Sequence, residues 1–501
     1  MIARSIVESR GSLGARWWPA MAFALVSPGQ SACIHDFVLE EGEGAGGAGG
    51  AGGAGGGSER RCEIAENTPP ASVQWSYSAG DAQAQAIRDL VVDSQGNAIV
   101  VGDFRGTLDF DLGPLPSAGG FDQFVAKLDC SGQPLLAVRF GSEIEQELFT
   151  RVAVDSEDNI VIAGELIGTF DFGGGPISSD DGDVFVVKLS PAGGFVWQRT
   201  FAGPGRQLAR AVAVDEFDRV LVAGYFAGTM NVGGTELSSV DADVDAFLLR
   251  LDGDGEPLDH RVFGSPSEEF VEAMAVSETG LIALTGVIED TLVGTSFGGS
   301  PLVSAGGDDA FVAVFDAELD SVWSAGFGSA DANHDFYQQG KRILFQGDEL
   351  VVMARLSGTM DFGGGALAPP SLGIALARFD AQGNCLASKS FEHVAFAHGL
   401  AVLDDGDVVI GGESYEALDL GGPLWPSFGG KDLFYARLDH DFEHVWSRAY
   451  GGAGDDQIFA LGVDPWGGLL LGGNFRQSLV VDGEPLESAG DADLLILRVA
   501  R

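Results

Sequence analysis

One short segment recurs through this chain at intervals of about 60 residues. It is clearest at residues 100–107 (VVGDFRGT), 162–169 (IAGELIGT) and 222–229 (VAGYFAGT). Weaker copies follow at 284–286, 352–354, 410–412 and 471–473. Because stacked repeats share a single core, a sevenfold repeat overrides the three or four domains that a length of 501 residues would suggest.

The second copy shows what one repeat forms. Apolar or alternating runs at 149–155, 160–166, 183–189 and 195–201 are typical of β-strands, and turn clusters such as DSEDN at 155–159 separate them. We label these four strands a to d. No segment has a convincing helical period. Four antiparallel strands in each of seven copies predict an all-β fold, a seven-bladed β-propeller.

The two ends of the repeated region predict how the ring closes. The last copy stops at its third strand, 494–499, whereas residues 73–81 resemble the fourth strand at 445–451. An N-terminal strand that completes the last blade would remove an unpaired sheet edge. The predicted blades cover about 81–140, 141–201, 202–263, 264–327, 328–391, 392–450, and 451–501 completed by 72–78.

Three short motifs recur with these strands. They are Val-Asp at 92–93, 154–155 and 214–215, Gly-Thr before Asp-Phe at 168–172 and 358–362, and Asp-x-Phe-x-x-Lys/Arg-Leu beginning at Asp122, Asp183, Asp245 and Asp432. Through these motifs, residues 72–501 resemble the bacterial seven-bladed β-propeller repeat family, abbreviated SBBP. The resemblance implies an exported or surface-attached bacterial protein and supplies no established chemistry.

The N-terminal region predicts export. Arginines at positions 4, 10 and 16 precede the apolar run 17–26, which is too short to span a bilayer. A basic start, a short apolar stretch and small residues before a cleavage point are typical of an export signal. Residues 1–32 are therefore interpreted as that signal.

A lipid anchor would follow the signal. Ser31-Ala32-Cys33 resembles the end of a lipobox, with Gln30 where an aliphatic residue is usual, and predicts lipidation at Cys33. The Gly- and Ala-rich residues 33–71 would then form a flexible tether to an outer membrane or cell surface. A plain disordered leader on a periplasmic or secreted protein is the alternative.

The net charge of the chain limits the classes of molecule that it can bind. With 28 basic and 74 acidic residues, a net charge of −46, nucleic-acid binding is excluded, because it needs clustered Lys and Arg. The b–c and d–a links leave on one face and are rich in Asp and Glu, which predicts a solvated acidic rim without a cofactor. Ca²⁺, which takes clustered carboxylates, is the alternative. We expect a monomer whose only membrane contact is the N-terminal lipid.

Residues that recur once per repeat are interpreted as parts of the blade. The glycine after strand b, such as Gly102 or Gly224, predicts a bulge or a close backbone approach. Tryptophans in strand d, such as Trp197, predict packing between blades. The aspartate before strand c, such as Asp122, predicts a turn cap.

Copies five and six depart most from the repeat, so a unique site is expected there. Side chains suited to a transition metal are predicted to share the acidic face, with scattered surface histidines as the alternative. This candidate set is Asp331, His334, Asp335, His393 and His398. Trp425, in the b–c link of copy six, is either a sugar-stacking platform or a lid on its blade.

Four cysteines are too few for a disulfide framework. Entry to the N-terminal strand and the c–d turn of blade one lie on the same face, so Cys62 and Cys130 are predicted to pair between blades seven and one. Cys385 lies four blades further on, too far to join them easily.

Two functions fit this chain. The first is a binding or scaffold module for a protein or polysaccharide ligand. The second is a secreted hydrolase or lyase that acts on polysaccharide at the channel, although no nucleophile elbow, zinc motif or P-loop is present. Convergence of His, Asp, Arg or Tyr on the channel mouth would favour the enzyme. The d–a links are acidic or small except for Arg206 and Arg210, which favours binding.

Overall fold

The computed structural model describes residues 62–65, 68–141, 150–289, 294–329, 338–369, 371–392, 394 and 396–501. These residues form seven four-stranded antiparallel sheets, each in the order a-b-c-d. The chain is a seven-bladed β-propeller, which confirms the predicted fold. The export signal, Cys33 and most of the tether lie outside the described residues.

The strands of the blades follow one another along the chain. Blades one to three are Gln85–Val92, Ala98–Phe104, Asp122–Leu128 and Pro134–Phe140; Thr150–Val154, Ile160–Asp171, Pro176–Leu189 and Phe195–Phe201; and Gln207–Val214, Val220–Ala227, Val244–Leu251 and Pro257–Phe263. Blades four to six are Glu269–Val276, Ile282–Ile288, Asp309–Phe315 and Ser321–Phe327; Gln338–Gln346, Glu349–Leu356, Gly373–Phe379 and Cys385–Glu392; and Phe396–Val402, Val408–Ser414, Asp432–Leu438 and His444–Tyr450. Blade seven is Gln457–Val463, Gly468–Val481, Glu484–Ala500 and, as strand d, Val73–Ala79. The b–c links add the short pairs Thr107–Asp109 with Pro114–Pro116, Thr229–Val232 with Thr235–Ser238, and Met360–Asp361 with Ala366–Leu367, and a 3₁₀ helix at Val240–Ala242.

The ring closes through the N-terminal strand, as predicted. Val73–Ala79 pairs antiparallel with the last strand of the chain, from Val73 opposite Val499 to Ala79 opposite Leu494. The first strands of neighbouring blades contact one another in an unbroken cycle, so strand a lies nearest the axis in every blade. The closing strand is the outermost strand of blade seven, which therefore has four strands like the other blades.

The connections divide between two faces of the disk. In blade one Ala98 pairs with both Val92 and Leu128, so the a–b and c–d turns lie on one face, which we call the turn face. Phe104 pairs with both Gln85 and Asp122, so the b–c and d–a links lie on the other, the link face.

Two of the recurring motifs are the halves of one ion pair. The aspartate of Val-Asp caps the a–b turn, and the basic residue near the end of strand c reaches it. Lys127 Nζ lies 2.7 Å from Asp93, and Lys188 Nζ lies 2.6 Å from Asp155; all four residues are buried. An unpaired charge would be costly there, so each motif requires the other.

The Asp-Phe motif fills the gap between blades. In blade two the b–c link folds back as a hairpin, and Phe172 packs with ring centroids 4.9 Å from Phe140 of blade one and 5.2 Å from Phe185. Asp171 accepts a 2.8 Å hydrogen bond from the backbone N–H of Gly173 and so caps the hairpin turn. The motif therefore encodes packing.

The strand-d tryptophans also pack between blades. Trp197 of blade two donates from Nε1 to the carbonyl oxygen of Gly253 of blade three at 2.9 Å. Its ring covers Gly255, whose φ of +80° and lack of a Cβ allow the contact. Trp75 makes the same bond to Cys130 across the closure, at 2.9 Å.

Candidate functional site in the central channel

Side chains reach the channel at β-bulges in strand a. In six blades, strand a has a register shift opposite a small residue of strand b. A Cβ at Gly102 or Gly224 would overlap the carbonyl oxygen of Ala86 or Leu208, so glycine permits the close approach. These glycines lie inside strand b. The extra residue at each bulge is skipped in the register between strands a and b. These residues are Arg88, Arg210, Glu272, Lys341, His398 and Phe459.

Basic side chains from several blades meet in the middle of the channel. Arg151 of blade two donates from Nε to the carbonyl oxygen of Arg210 at 3.0 Å and from Nη1 to that of Arg88 at 3.3 Å, so its guanidinium bridges blades one and three. Arg210 forms an ion pair with Glu272 of blade four, and Lys341 Nζ of blade five lies 3.6 Å from the same carboxylate.

Arg342 adds a further cation from blade five. Its Nη1 donates to the carbonyl oxygen of Lys341 at 2.9 Å. Burial lowers the pKa of Arg342, and burial also lowers the pKa of Arg151 to about 10, with Arg342 and Arg210 adding repulsion. Among the described residues, no carboxylate lies within ion-pairing distance of Arg151 or Arg342.

Glu272 is the main anion of this group. Burial favours its protonated form, yet Arg210, Lys341 and Arg151 lower the pKa of Glu272 to about 2. We call the whole group the cationic cluster. In the described part of the chain it holds four cations and two carboxylates: Arg151, Arg210, Lys341, Arg342, Asp89 and Glu272. A chain of net charge −46 therefore concentrates positive charge at its axis.

A second group lies where blades five and six meet the link face. The guanidinium of Arg355 stacks 4.5 Å from the Phe396 ring centroid, and Lys431 Nζ lies 5.7 Å from Phe396 and 5.4 Å from Tyr415. Lys431 is also 3.2 Å from Glu413. Tyr415 is 53% exposed, so part of the group faces solvent. We call these five residues the blade-six cluster.

The link face near blades three and four is acidic, as expected. Asp243, Glu268, Glu289 and Asp308 lie close enough to repel one another. Burial, with repulsion from Asp308 and Glu268, raises the pKa of Glu289 to about 8. Glu289 is therefore mostly protonated at neutral pH, and only the ionised carboxylates of this rim disfavour polyanions at the channel entrance.

The predicted metal set is mostly outside the described residues. Asp331, His334, Asp335 and His393 are among the residues not described. His398 lies in the channel, with Nε2 3.5 Å from Glu413, and burial lowers its pKa. No group of three or more His, Cys, Asp and Glu side chains in the described ranges is arranged to hold a metal ion. The metal site stays a prediction.

Trp425 lies on the outer hairpin of blade six. Its backbone forms an isolated antiparallel β-bridge with Leu418. Its side chain packs against the blade core and donates a hydrogen bond from Nε1 to Ser447 Oγ at 2.9 Å. The ring is only partly exposed, so one face serves the blade as a lid; its sugar-stacking role stays a prediction.

The structure joins the two cysteines whose pairing the topology suggests. Cys62 and Cys130 form a disulfide with their Cα atoms 5.4 Å apart, and Cys385 is free. The bond links the segment before the closing strand to blade one, across the ring closure.

The cationic cluster was not predicted. From the sequence, Arg206 and Arg210 were both expected in a d–a link, whereas Arg210 lies in strand a of blade three. The other cations of the cluster lie in strand a of blades two and five. A signal was available for Arg210: aligning the copies on Asp93 and Asp215 puts Arg88 and Arg210 five residues earlier, at the bulge position. Charged residues at that position do not fit a buried strand.

Comparisons with known proteins give distant relatives only. No family model matches the chain. The chain is 24% identical over 213 residues to an uncharacterized WD repeat-containing protein of Acanthamoeba polyphaga mimivirus, with 34% of this chain and 15% of that protein covered. It is 24% identical over 358 residues to the regulatory protein FlaEY of Caulobacter vibrioides, with 66% and 36% covered. The chain thus spans well under half the length of these relatives.

Solved structures resemble the fold weakly. Sqt1 from Chaetomium thermophilum has a TM-score of 0.41 at 11% identity, with 86% of this chain and 99% of that chain covered. A puromycin hydrolase S511A mutant has a TM-score of 0.44 at 13% identity, with 84% and 56% covered. Similarity at this level does not bear on function. Within the described ranges, no helix has the length and apolar character needed to cross a membrane.

Proposed function

We propose that this chain is an exported, surface-tethered β-propeller that serves as a binding or scaffold module for a protein or polysaccharide ligand. One observation carries the proposal. Recurring residues such as Asp93, Lys127, Phe172 and Trp197 are used in building blades. The carboxylate of Glu413 also has counterparts, Asp103 and Glu165, but in the blade-six cluster it is joined by the stacked pair of Arg355 and Phe396 and by Tyr415, which is 53% exposed.

The chemistry of the blade-six cluster suits ligand binding. Arg and Tyr are enriched among the residues that dominate binding energy, because they offer large contact areas and specific polar groups. The closed ring holds Arg355, Phe396 and Lys431 in place before a ligand arrives, which reduces the ordering cost of binding. Aromatic rings beside cations also suit a sugar ring that carries an acidic group.

The binding role is tested on the mature full-length chain. Tyr415→Ala should weaken capture of a partner from the producing cell, or binding to an arrayed polysaccharide, by at least tenfold. Phe217→Ala is the matched control, because Phe217 is 64% exposed and lies in an a–b turn on the turn face. Equal binding by both variants and the wild type would remove the blade-six cluster from the proposal.

The proposed export and membrane attachment are tested separately. The basic start, the apolar run and Cys33 support export and lipidation, and a disulfide suits an oxidising compartment. Fractionation should recover wild-type protein with membranes and Cys33→Ala protein in a soluble exported fraction. Recovery of the wild type only from the cytoplasm would contradict this address.

The second candidate is a polysaccharide hydrolase or lyase at the channel. The contact between His398 and Glu413, with Lys431 and Tyr415 nearby, is the convergence of ionisable groups that would favour catalysis. Incubation with acidic and neutral polysaccharides, read by new reducing ends or unsaturated product, separates the two candidates. Turnover that His398→Ala abolishes would favour the enzyme, and binding without turnover favours the module.

A further inference from the structure

Two arginines in the channel have no ion-pair partner among the described residues, although Asp89 and Glu272 attract both of them at longer range. Arg151 gives its Nε and Nη1 hydrogens to backbone carbonyl oxygens, and Arg342 gives its Nη1 to one. In the described part of the chain, neither guanidinium reaches a carboxylate. Both side chains are partly buried, and a cation that is partly withdrawn from water without a close partner is destabilising, so a bound anion would compensate.

The neighbouring charged groups leave the channel with an excess of positive charge. Arg210 and Lys341 lie close to Glu272, which also attracts Arg151 and Arg342 at longer range, so this one carboxylate serves four cations. Asp89, the other carboxylate of the cluster, accepts the backbone N–H of Val152 at 3.1 Å. The cationic cluster keeps an excess of two positive charges.

We propose that the channel binds one small oxyanion, a carboxylate, phosphate or sulfate group, between Arg151 and Arg342. The planar forks of guanidinium groups match the oxygens of these anions and bind them with paired hydrogen bonds. The site lies in strand a of blades two and five, apart from the blade-six cluster, so it stands or falls independently of the proposed function.

The charge on the link face limits the class of ligand that can enter the channel. The acidic cluster of Asp243, Glu268, Glu289 and Asp308 lies on the link face. With a pKa of about 8, Glu289 is mostly protonated at neutral pH, so those of the other carboxylates that are ionised would repel a chain of closely spaced negative charges on entry. A single anionic group passes this rim at a smaller cost. The ligand is therefore a small free anion or one oxyanion group at the end of a larger molecule.

The experiment is a titration of the full-length protein with inorganic phosphate, sulfate and acetate at constant ionic strength, with chloride as the balancing salt. Calorimetry and the thermal midpoint should both report saturable binding of at least one oxyanion. Arg151→Gln with Arg342→Gln should raise the dissociation constant at least tenfold. Arg261→Gln, on an outer strand, is the control and should leave it unchanged.

A conservative variant and a competition experiment complete the test. Arg342→Lys retains charge without the fork, so it should preserve folding and bind more weakly than the wild type, which separates recognition from misfolding. Competition between phosphate and any captured partner or saccharide distinguishes a free anion from a terminal group. The proposal is overturned if no oxyanion binds saturably, or if the double variant folds and binds as tightly as the wild type.

Discussion

Gly224 provides a direct test of how the channel is built. In Gly224→Ala, the added Cβ would overlap the carbonyl oxygen of Leu208 and come within 3.0 Å of the Ala209 Cα. The two strands would have to separate by about 1.5 Å to reach a normal contact. That movement would stretch the pairing of Gly224 with Ala209 and displace the bulge that carries Arg210.

The expected cost follows from these contacts. Loss of about two ladder hydrogen bonds at about 1 kcal/mol each, with overpacking of about 1 kcal/mol, gives about 3 kcal/mol. For a body of roughly 430 residues this corresponds to a fall of about 3 °C in the thermal midpoint. The free energy of unfolding from urea denaturation and the thermal midpoint measure it.

Gly253→Ala is the matched control. The nearest atom to its added Cβ is the carbonyl oxygen of Asp218 at 3.6 Å, and its φ is not positive. It should change the unfolding free energy by less than about 0.5 kcal/mol. If Gly224→Ala is as stable as Gly253→Ala, the glycine is not needed for the bulge and the account of the channel fails.

Three other predictions concern the ring and its charges. Cys130→Ser should lower the unfolding free energy by about 4 kcal/mol, because the disulfide closes a loop with a sequence separation of 68; reductant should reproduce the loss in the wild type and do nothing to the variant. Lys127→Met should cost about 3 kcal/mol, because it leaves Asp93 buried and unpaired, and adding Asp93→Asn should recover part of this; a double variant that is no better than the single one would argue against the pair. The raised pKa of Glu289 means that wild-type stability falls as pH rises from 4.5 through about 8, so Glu289→Gln should be more stable than the wild type above pH 8 and equal to it below pH 4.5. The gain should be on the order of 1 kcal/mol after solvent screening, and a gain that is the same at both pH values would contradict the assignment.

Much of the fold was predictable because the repeat carries it. Seven similar segments each supply four strands, and the missing last strand identifies Val73–Ala79 as the one that closes the ring. The same topology puts Cys62 near Cys130. Recurrence also identifies residues with a structural role. Asp93 and Lys127 each belong to a recurring motif, and they form an ion pair within their blade.

The channel was not predictable in the same way. A bulge shifts the alternation within strand a, so the side of the strand that Arg210 occupies cannot be read from a period of two. Arg151 and Arg342 are ordinary strand residues in sequence and become neighbours only because the ring brings blades two and five to one axis. That neither forms an ion pair with a carboxylate of the described ranges is a property of the assembled ring.

The most direct test of the central claim is a crystal structure of the chain grown with selenate, an oxyanion whose position anomalous diffraction reveals. The account predicts a seven-bladed ring with one anomalous peak in the channel, contacted by both Arg151 and Arg342. A well-ordered channel with these guanidinium groups paired to carboxylates, and no peak between them, would contradict it.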